Sequence, residues 1–400
     1  MEFENLPEGW LIEIIGNVCE VKGGKRLPNG HSLVNKTTKH PYIRVRDIAN
    51  GQIKKVGLEY LLPETQQKIA RYIVNEGDVI ISNVGTIGEI AWVDNELDGA
   101  NLTENCAKMT NFKNVDSQYM KYFLRSHYGQ AEIQKMTVGT TQPKLALFRI
   151  KDIQFPKPPL PQQQKIASIL GALDDKIELN NQMNQTLETM AKALFKSWFI
   201  DFEPFADGEF EESELGMIPK GWRVGTLGEA SANHNRLRKP ISKMEREKIQ
   251  GTYPYYGAAS AIDYLDFYKF DGVYLLIAED GTVMDNDGNP TLQYVQGRFS
   301  VSNHAHILTG AGTISTEFLN LFLSSFKIKP FVTGSVQLKI NKKNLDSIPL
   351  IIPNDDILTQ FNAQVKPMFE QILSNEFQTS TLSTMRDNLL SKLMSGEIEV

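Results

Sequence analysis

Hydrophobic residues recur with a heptad period in two stretches of the chain. The seams of the first stretch are Ile166, Leu173, Asn180, Leu187 and Leu194, and Leu170, Ile177, Asn184, Ala191 and Trp198. The seams of the second are Phe361, Met368, Asn375, Leu382 and Leu389, and Val365, Ile372, Thr379, Arg386 and Leu393. Two seams at a and d spacing predict two long helices that pack as a coiled coil. Each would span roughly 35–40 residues, about 50–60 Å.

Two asparagines interrupt the apolar seams at matching places. Asn180 and Asn375 lie 195 residues apart, each near the middle of its stretch. A polar residue inside such a seam fixes the register and orientation of the helices at some cost in stability. Thr379 and Arg386 make the second seam less regular. The length of the helices favours a rod over helices that only brace a globular core, which stays the alternative.

The segments around these helices show the shorter patterns of a mixed α/β structure. Apolar runs bounded by Gly, Asp and Asn predict strands at 77–82, 88–93, 272–278 and 304–309. Helical spacing predicts short helices at 119–126 and 316–325. The order along the chain is therefore globular, helical, globular, helical.

The chain also repeats itself. "GTTQPKL" at 139–145 returns as "GSVQLKI" at 334–340, an offset of 195, and "LPEGW" at 6–10 returns as "IPKGW" at 218–222, an offset of 212. Gly16 matches Gly228 at the second offset. The flanks of each half are repeated while the middles differ, which predicts a pseudo-two-fold architecture. We interpret the first motif as a Gly turn followed by a strand that joins each globular half to its helix.

These boundaries predict four segments. Residues 1–155 and 214–353 are the globular domains, and residues 156–213 and 354–400 are the helical regions. The net charge of −6 is uneven: residues 156–215 carry −6 and residues 355–400 carry −4, whereas residues 1–155 carry +1 and residues 216–354 carry +3. Acid is thus concentrated in the helical regions.

Composition excludes several classes. No run of 18 apolar residues occurs and the first residues lack the pattern of a signal peptide, so we expect a cytoplasmic protein without a membrane partner. Cys19 and Cys106 are too few for a disulfide framework or a zinc site.

The sequence contains no recognisable catalytic or metal-binding motif. The chain has no Asn/Asp-Pro-Pro-aromatic motif with a Gly-rich cofactor loop, no phosphate-binding loop and no nucleophile elbow. Residues 284–290 lack the spacing of a calcium loop, and "HAH" at 304–306 lacks a third metal ligand. We therefore expect a protein that binds rather than catalyses and holds no metal; an enzyme with an unrecognised site stays a rival.

Basic and amide side chains gather in predicted loops of both globular segments. Such residues hold phosphates and make bidentate bonds to base edges. The candidate DNA contacts are Lys22, Lys25, Arg26, Arg44, Arg46, Lys54, Lys55, Gln142, Lys144, His234, Asn235, Arg236, Arg238, Lys239, Gln337 and Lys339. A solvated surface is the alternative for each residue taken singly.

The sequence resembles type I restriction–modification specificity subunits. The likeness is carried by "PPLPQQQKIASILGALDDKIELNNQMNQTLETMAKALFKSWFIDFEPF" at 158–205, "ELGMIPKGWRVGTLGE" at 214–229 and "LLSKLMSGEIEV" at 389–400. It is specific in the helical regions and weak in the variable halves. Residues 162–164 lack the acidic residue often found in the proline–glutamine motif, and the second copy, "IIPNDDILTQF", departs further.

This resemblance implies an α+β fold in which two target recognition domains are joined by two antiparallel helices. Each domain would read one half of a bipartite, asymmetric sequence in double-stranded DNA. The helices would set the spacing and dock two methyltransferase subunits, which carry S-adenosylmethionine; no cofactor is expected in this chain. A restriction and translocase subunit is a further implied partner. The rival from another class is a non-catalytic scaffold whose α/β halves bind protein or glycan.

Overall fold

The chain folds into two compact units, each with its own core. The computed structural model describes residues 6–139, 143–334 and 337–400. The first unit combines Met1–Glu178 with Thr379–Val400, and the second is Leu179–Gln378. The first long helix, Leu160–Phe199, and the second long helix, Asp355–Ser395, each contribute residues to both units.

Short strands in several small sheets make up the first unit. Its strands β1 to β11 are Leu11–Ile14, Glu20–Gly23, Pro41–Ile43, Ile48–Ala49, Gln52–Ile53, Glu59–Tyr60, Val79–Ser82, Ile90–Trp92, Asn101–Leu102, Cys106–Thr110 and Gln154–Lys157. The sheets have the strand orders β2-β10-β7-β8, β6-β3-β9, β4-β5 and β1-β11. The central strand β7 is buried along its whole length; its sequence "VIIS" is apolar up to Ser82, whose hydroxyl is hydrogen-bonded to Thr86 O and Glu89 N.

The second unit is built around one larger sheet. Its strands β12 to β21 are Phe210–Ser213, Gly216–Pro219, Arg223–Thr226, Ser231–Asn233, Gln250–Tyr256, Ala261–Leu265, Phe270–Ala278, Leu292–Val301, Ala305–Gly310 and Pro349–Ile352. The six-stranded sheet has the order β15-β20-β18-β19-β16-β17, and β12-β13 and β14-β21 form two-stranded ladders. The longest strands, β18 and β19, pair antiparallel from Phe270 opposite Phe299 to Ile277 opposite Leu292.

Short helices cover these sheets. The α-helices besides the two long ones are Ile15–Val18, Pro63–Lys68, Ser117–Arg125, His127–Met136, Leu147–Lys151, Leu227–Ala230, Lys243–Arg246, Thr316–Ser325 and Lys342–Asp346. Turns of 3-10 helix lie at Val45–Asp47, Asn95–Leu97, Glu203–Phe205, Asn235–Leu237 and Lys329–Phe331. The strands predicted at 77–82, 88–93, 272–278 and 304–309 and the two predicted helices are all confirmed within two residues at each end.

Each unit is closed by a ladder that pairs the start of its globular part with its end. Strand β1 pairs with β11 from Leu11 opposite Lys157, and β14 pairs with β21 from Arg223 opposite Ile352. The offsets of 212 and 195 seen in the sequence convert one register into the other without a shift. We call these two ladders the closing ladders. The repeat in the sequence is therefore a repeat in hydrogen bonding.

The repeated glycines Gly16 and Gly228 lie just behind the closing ladders. A Cβ atom added to Gly16 would lie 2.9 Å from the Cβ atom of Lys151, and one added to Gly228 would lie 2.9 Å from the Cβ atom of Asp346. Real Cβ atoms do not approach so closely, so glycine lets the short helix after each ladder pack against the short helix that precedes its partner strand.

The two long helices run antiparallel, as the resemblance implies. In the second unit Phe199 lies beside Phe361 with ring centroids 4.7 Å apart, while the earlier residue Asn184 lies beside the later Asn375. Asn375 Nδ2 donates to Asn184 Oδ1 at 2.7 Å, and Gln371 Nε2 donates to Asn375 Oδ1 at 2.7 Å. Asn180 and Asn375 are both buried. This polar layer favours one register of the pair, because a slip would leave buried amides without partners.

All of the seam residues named as packing positions, the two asparagines included, are buried or half-buried. They are Ile166, Leu170, Leu173, Ile177, Asn180, Leu187, Leu194, Phe361, Val365, Met368, Ile372, Asn375, Leu382 and Leu389.

The first turn of each long helix differs between the copies. Gln163 is fully buried and its side chain accepts from the backbone N–H of Asp116 and donates to the carbonyl of Pro158, whereas the matching Leu358 lies in an apolar core.

The irregular Arg386 has a buried partner on the other long helix. In the first unit its guanidinium donates to Asp174 Oδ1 at 2.9 Å. Asp174 Oδ2 also accepts from Tyr122 Oη at 2.9 Å and Arg125 at 3.1 Å, and Lys121 Nζ lies 3.9 Å away. We call these five residues the Asp174 cluster. A carboxylate taken out of water requires such partners, so the break in the seam is an ion-pair site.

Lys121 should make stability depend on pH in an unusual direction. Burial lowers the pKa of Lys121 to about 8, with Asp174 acting against the shift and Arg125 adding to it. The unfolded lysine keeps its proton up to about pH 10.4. Between these values the unfolded chain binds more protons, so the free energy of unfolding should rise with pH, by about 3 kcal/mol at most.

Urea unfolding at pH 7.5, 8.5 and 9.5 would measure this rise, and Lys121→Met should remove it. Lys192→Met is the matched control, because Lys192 is exposed and its ion-pair partner Glu188, 3.7 Å away, is exposed as well. That control should keep the pH profile of the wild type. An unchanged profile in Lys121→Met would contradict the assignment.

Candidate nucleic-acid interface

The repeated "GTTQPKL" and "GSVQLKI" motifs form the same hairpin in the two units. Lys144 N donates to Val138 O at 2.9 Å and Val138 N to Lys144 O at 3.0 Å, while Thr333 and Lys339 exchange the same two bonds at 2.8 Å each. Gly139 has a φ of 94° and Gly334 a φ of 92°. Side chains rarely adopt this left-handed conformation, so glycine starts both turns. Gln142 lies outside the described residues; Gln337 is exposed.

Each hairpin is fixed at its base to the loop that follows a central strand. In the first unit Leu145 N donates to Asn83 O at 3.0 Å, and Asn83 N donates to Asn105 O at 2.9 Å. In the second, Ile340 N donates to Glu279 O at 2.9 Å, and Glu279 N donates to His304 O at 2.8 Å. We call each hairpin with its anchoring residue, Asn83 or Glu279, a hairpin frame.

The two hairpin frames therefore present Lys144 and Lys339 from equivalent backbone positions. A strand follows each Gly turn, as expected, but a short helix separates the two. The hairpin comes first, a short helix follows it (Leu147–Lys151 or Lys342–Asp346), and only then does β11 or β21 enter its closing ladder. The motif thus presents an exposed lysine, Lys144 or Lys339, and does not itself join the domain to its helix.

Glu279 is the charged centre of the second hairpin frame. Its carboxylate accepts from Arg238 at 2.7 Å, lies 3.3 Å from Lys339 Nζ and lies 3.8 Å from Nδ1 of the buried His306. Burial acts to raise the pKa of Glu279, but Arg238 and Lys339 outweigh it and hold that pKa below its usual range. Glu279 therefore stays ionised, and it is held from several sides.

His234, Asn235 and Arg238 fix the neighbouring loop to strand β20. Asn235 Nδ2 donates to His306 Nδ1 at 2.7 Å, and its Oδ1 accepts from Ile307 N at 2.9 Å. His234 Nε2 lies 3.0 Å from Thr309 Oγ1, and burial lowers the pKa of His234. Arg238 also donates to the carbonyl of Ala305 at 2.9 Å. The structure thus brings these three residues together beside Lys339, with much of their hydrogen-bonding capacity already used.

Several basic residues named from the sequence lie beside carboxylates of the first unit. The pairs are Lys22 with Glu20 at 2.7 Å, Arg26 with Glu104 at 2.8 Å, Arg44 and Arg46 with the shared Glu59, and Lys55 with Asp94 at 2.7 Å and Glu96 at 2.9 Å. Exposed pairs such as Lys22 with Glu20 contribute little to stability, whereas Arg44 and Glu59 are half-buried. Their cations remain able to exchange a carboxylate for a phosphate.

Other basic candidates have no carboxylate within 4 Å among the described residues. They are Lys25, Lys54, Lys144, Arg236 and Lys239. Lys25 Nζ lies 5.7 Å from the ring centroid of Tyr72, and Lys239 Nζ lies 4.6 Å from that of Phe267. The Tyr42 hydroxyl donates to the carbonyl of Lys25 at 2.8 Å, and Lys54 N donates to the carbonyl of Asp47 at 2.7 Å, so both lysines lie near Arg44. Lys55 points to a different loop, at Asp94.

The site contains two residues that are not among the candidates named from the sequence, Asn83 and Glu279. A sequence pattern does mark them: "ISNVGT" at 81–86 and "IAEDGT" at 277–282 share Ile, Gly and Thr at an offset of 196, with Asn83 and Glu279 at matching positions. Within residues 6–139, 143–334 and 337–400, no group of three or more His, Cys, Asp or Glu side chains is arranged to hold a metal ion. In the same ranges, no helix has the length and apolar character needed to cross a membrane.

Both halves of the chain match one family model, described as the type I restriction modification DNA specificity domain. The matched residues are 7–189 and 219–379, which together make up most of the chain. The chain belongs to the type I restriction–modification specificity subunits. This membership agrees with the resemblance in the helical regions and favours DNA recognition over a scaffold that binds protein or glycan.

Relatives of this specificity subunit match over nearly their whole length. It is 27% identical to the specificity subunit of the type I restriction enzyme MjaIX of Methanocaldococcus jannaschii, with 99% of this chain and 95% of that protein covered. It is 24% identical to the HindI specificity subunit of Haemophilus influenzae, over 82% of this chain and 88% of that one. The crystal structure of a type I system S subunit from M. genitalium shares the fold, with a TM-score of 0.65, 16% identity and coverage of 98% and 97%.

A test of the second hairpin is Gly334→Ala. A Cβ atom at this position would lie 2.2 Å from the carbonyl oxygen of Gln337, and the φ of 92° is unfavourable for alanine. Strain of about 1–3 kcal/mol should displace the tip and weaken binding of the target DNA by roughly ten-fold or more. The dissociation constant of the assembled complex on its target duplex is the measurement.

Gly312→Ala is the control for Gly334→Ala. Its φ of 61° imposes a similar backbone cost, but no atom lies within 4 Å of the added Cβ. Gly312→Ala should bind DNA like the wild type. Equal affinities for both variants and the wild type would show that the hairpin has no part in DNA binding.

Proposed function

We propose that this specificity subunit reads a bipartite, asymmetric sequence in double-stranded DNA through its two hairpin frames and the loops beside them. Residues 1–155 act as one target recognition domain and residues 214–353 as the other. The observation that carries the proposal is that two segments of different sequence hold the same hairpin with the same backbone bonds. A reader of two unlike half-sites needs this combination of a repeated frame and variable surroundings.

The charges of the hairpin surroundings fit this role. Lys144 and Lys339 occupy equivalent places, and Arg236, Lys239, Lys25 and Lys54 add cations. Lysine and arginine bind phosphates, while arginine and the amide of Gln337 offer paired bonds to base edges. The predicted contacts Gln142, His234, Asn235, Arg238 and the paired cations of the first unit belong to the same proposal.

The helical regions have a different role in the proposed function. Residues 156–213 and 354–400 hold the readers apart and dock two methyltransferase subunits, which supply S-adenosylmethionine and the chemistry; a restriction and translocase subunit is a further partner. Their acidic charge repels DNA and suits contact with protein. This chain itself is non-catalytic and works in the cytoplasm. Asn184 and Asn375 fix the antiparallel pairing of the two long helices within the second unit.

Exchange of residues 1–155 for those of a relative tests the division of labour. In cells that also hold the methyltransferase subunit, the methylated motif should change in one half and keep both its other half and its spacing. Methylome sequencing reads the motif directly. The reciprocal control, exchange of residues 214–353, should change only the other half. A motif altered in both halves, or in neither, by the first exchange would refute recognition by separate domains.

A further inference from the structure

The two hairpin frames differ in the charge beneath the lysine. Asn83 and Glu279 are equivalent residues, because each donates its backbone N–H to the strand behind it and accepts from the residue after the lysine. Their side chains differ: one is a neutral amide and the other is a carboxylate. The anchoring residue of the hairpin is therefore neutral in the first unit and negatively charged in the second.

In the second frame the carboxylate is close to the lysine and cannot move away. Glu279 is 14% exposed and held by Arg238 at 2.7 Å, whereas Lys339, 3.3 Å away, is 50% exposed. In the first frame no carboxylate of a described residue lies within 4 Å of Lys144. The exposed pair of Lys22 and Glu20, each 54% exposed, shows the contrast, since both partners are free to separate there.

A fixed anion lowers the gain from placing a phosphate beside Lys339. Phosphate binding by a cation is the sequence-independent part of DNA affinity, and each neutralised phosphate contributes a slope of about −0.9 to the dependence of log affinity on log salt. Lys144 is free to supply that contribution in full. Lys339 supplies less of it, because Glu279, which it shares with Arg238, partly compensates its charge and remains in place when DNA approaches.

We propose that Glu279 is a specificity-determining residue that acts through Lys339: it suppresses non-specific phosphate attraction in the second reader, so that this reader depends on base contacts more than the first does. The inference rests on the proposed function, since it concerns how the same hairpin meets DNA. Under this proposal the first reader contributes more of the salt-dependent binding than the second.

Glu279→Gln in the complete complex with its methyltransferase subunits is the direct test. Glutamine keeps an oxygen for Arg238 and removes the charge. Affinity for a duplex of random sequence should rise about three- to ten-fold, the log–log salt slope should steepen by up to about 0.9, and the ratio of target to random affinity should fall. A gain of non-specific binding is not expected from a merely structural defect. Unchanged or weaker random-sequence binding by an assembled variant would overturn the proposal.

Two further variants keep the test decisive. Asn83→Glu copies the second frame into the first and should lower random-sequence affinity and flatten the slope; no change in either would count against the proposal even if Glu279→Gln failed to assemble. Glu229→Gln removes the same charge from an exposed residue paired with Arg223, near a closing ladder and not in a hairpin frame. This variant should leave the salt slope unchanged. An effect equal to that of Glu279→Gln would show that the net charge of the protein, and not the position of Glu279, determines the result, and would count against the proposal.

The wild type separates this inference from the proposed function. A wild-type complex that does not prefer its target over random DNA would contradict sequence recognition itself. A wild-type complex that does prefer it, with Glu279→Gln binding random DNA no more tightly, would remove only the role of Glu279. Filter binding over a range of salt concentrations yields both measurements from the same samples.

Discussion

The closing ladders are the constraint on which the other features depend. Each ladder places the residues that enter a globular part directly beside the residues that leave it for a long helix, with Leu11 opposite Lys157 in one unit and Arg223 opposite Ile352 in the other. The segment between the two paired strands therefore starts and ends at a fixed place. Its length and sequence can change without moving the point where the chain continues into the long helix. A recognition surface is free to vary on the base that such a ladder forms.

Gly16 and Gly228 show how closely this base is packed, because a single methyl group has no room at either position. The hairpin frames extend the same principle towards the surface. Their backbone bonds are identical in the two units, yet the side chain beneath the lysine is an amide in one and a carboxylate in the other. Shape is thus held constant by backbone while electrostatics is set by single residues.

Periodic patterns made much of the fold predictable. Heptad seams indicated both long helices, and the offsets of 195 and 212 indicated the duplicated frame, since repetition and period are properties of the sequence itself. The helix after Asp355 continues through Pro367, which local propensity disfavours. Packing of its buried face, including Phe361 and Val365, offsets that cost.

Other features depend on distant partners, which a local sequence pattern does not identify. Arg386 looked like a defect in a seam because Asp174, its partner, is 212 residues earlier. Glu279 was missed because Arg238, His306 and Lys339 converge on it from three separate segments. The basic loops were named from residue type alone, and that criterion does not distinguish Lys144, which has no carboxylate within 4 Å among the described residues, from Lys339, which lies 3.3 Å from the half-buried carboxylate of Glu279.

The Asp174 cluster has a consequence for how such genes recombine. The positions matching Asp174 and Arg386 at the offset of 195 are Phe369 and Ala191, both buried in the apolar core of the other unit. Two copies of the first half facing each other would set Asp174 against alanine, and two copies of the second half would set Arg386 against phenylalanine. The first arrangement leaves Asp174 with Arg125 and Lys121 but removes its bond from Arg386, and the second leaves Arg386 with the exposed Asp387 but removes its bond to Asp174, so each loses part of a buried ion-pair network. The halves have become complementary, so crossovers that shuffle globular domains must inherit the two helices as a matched pair.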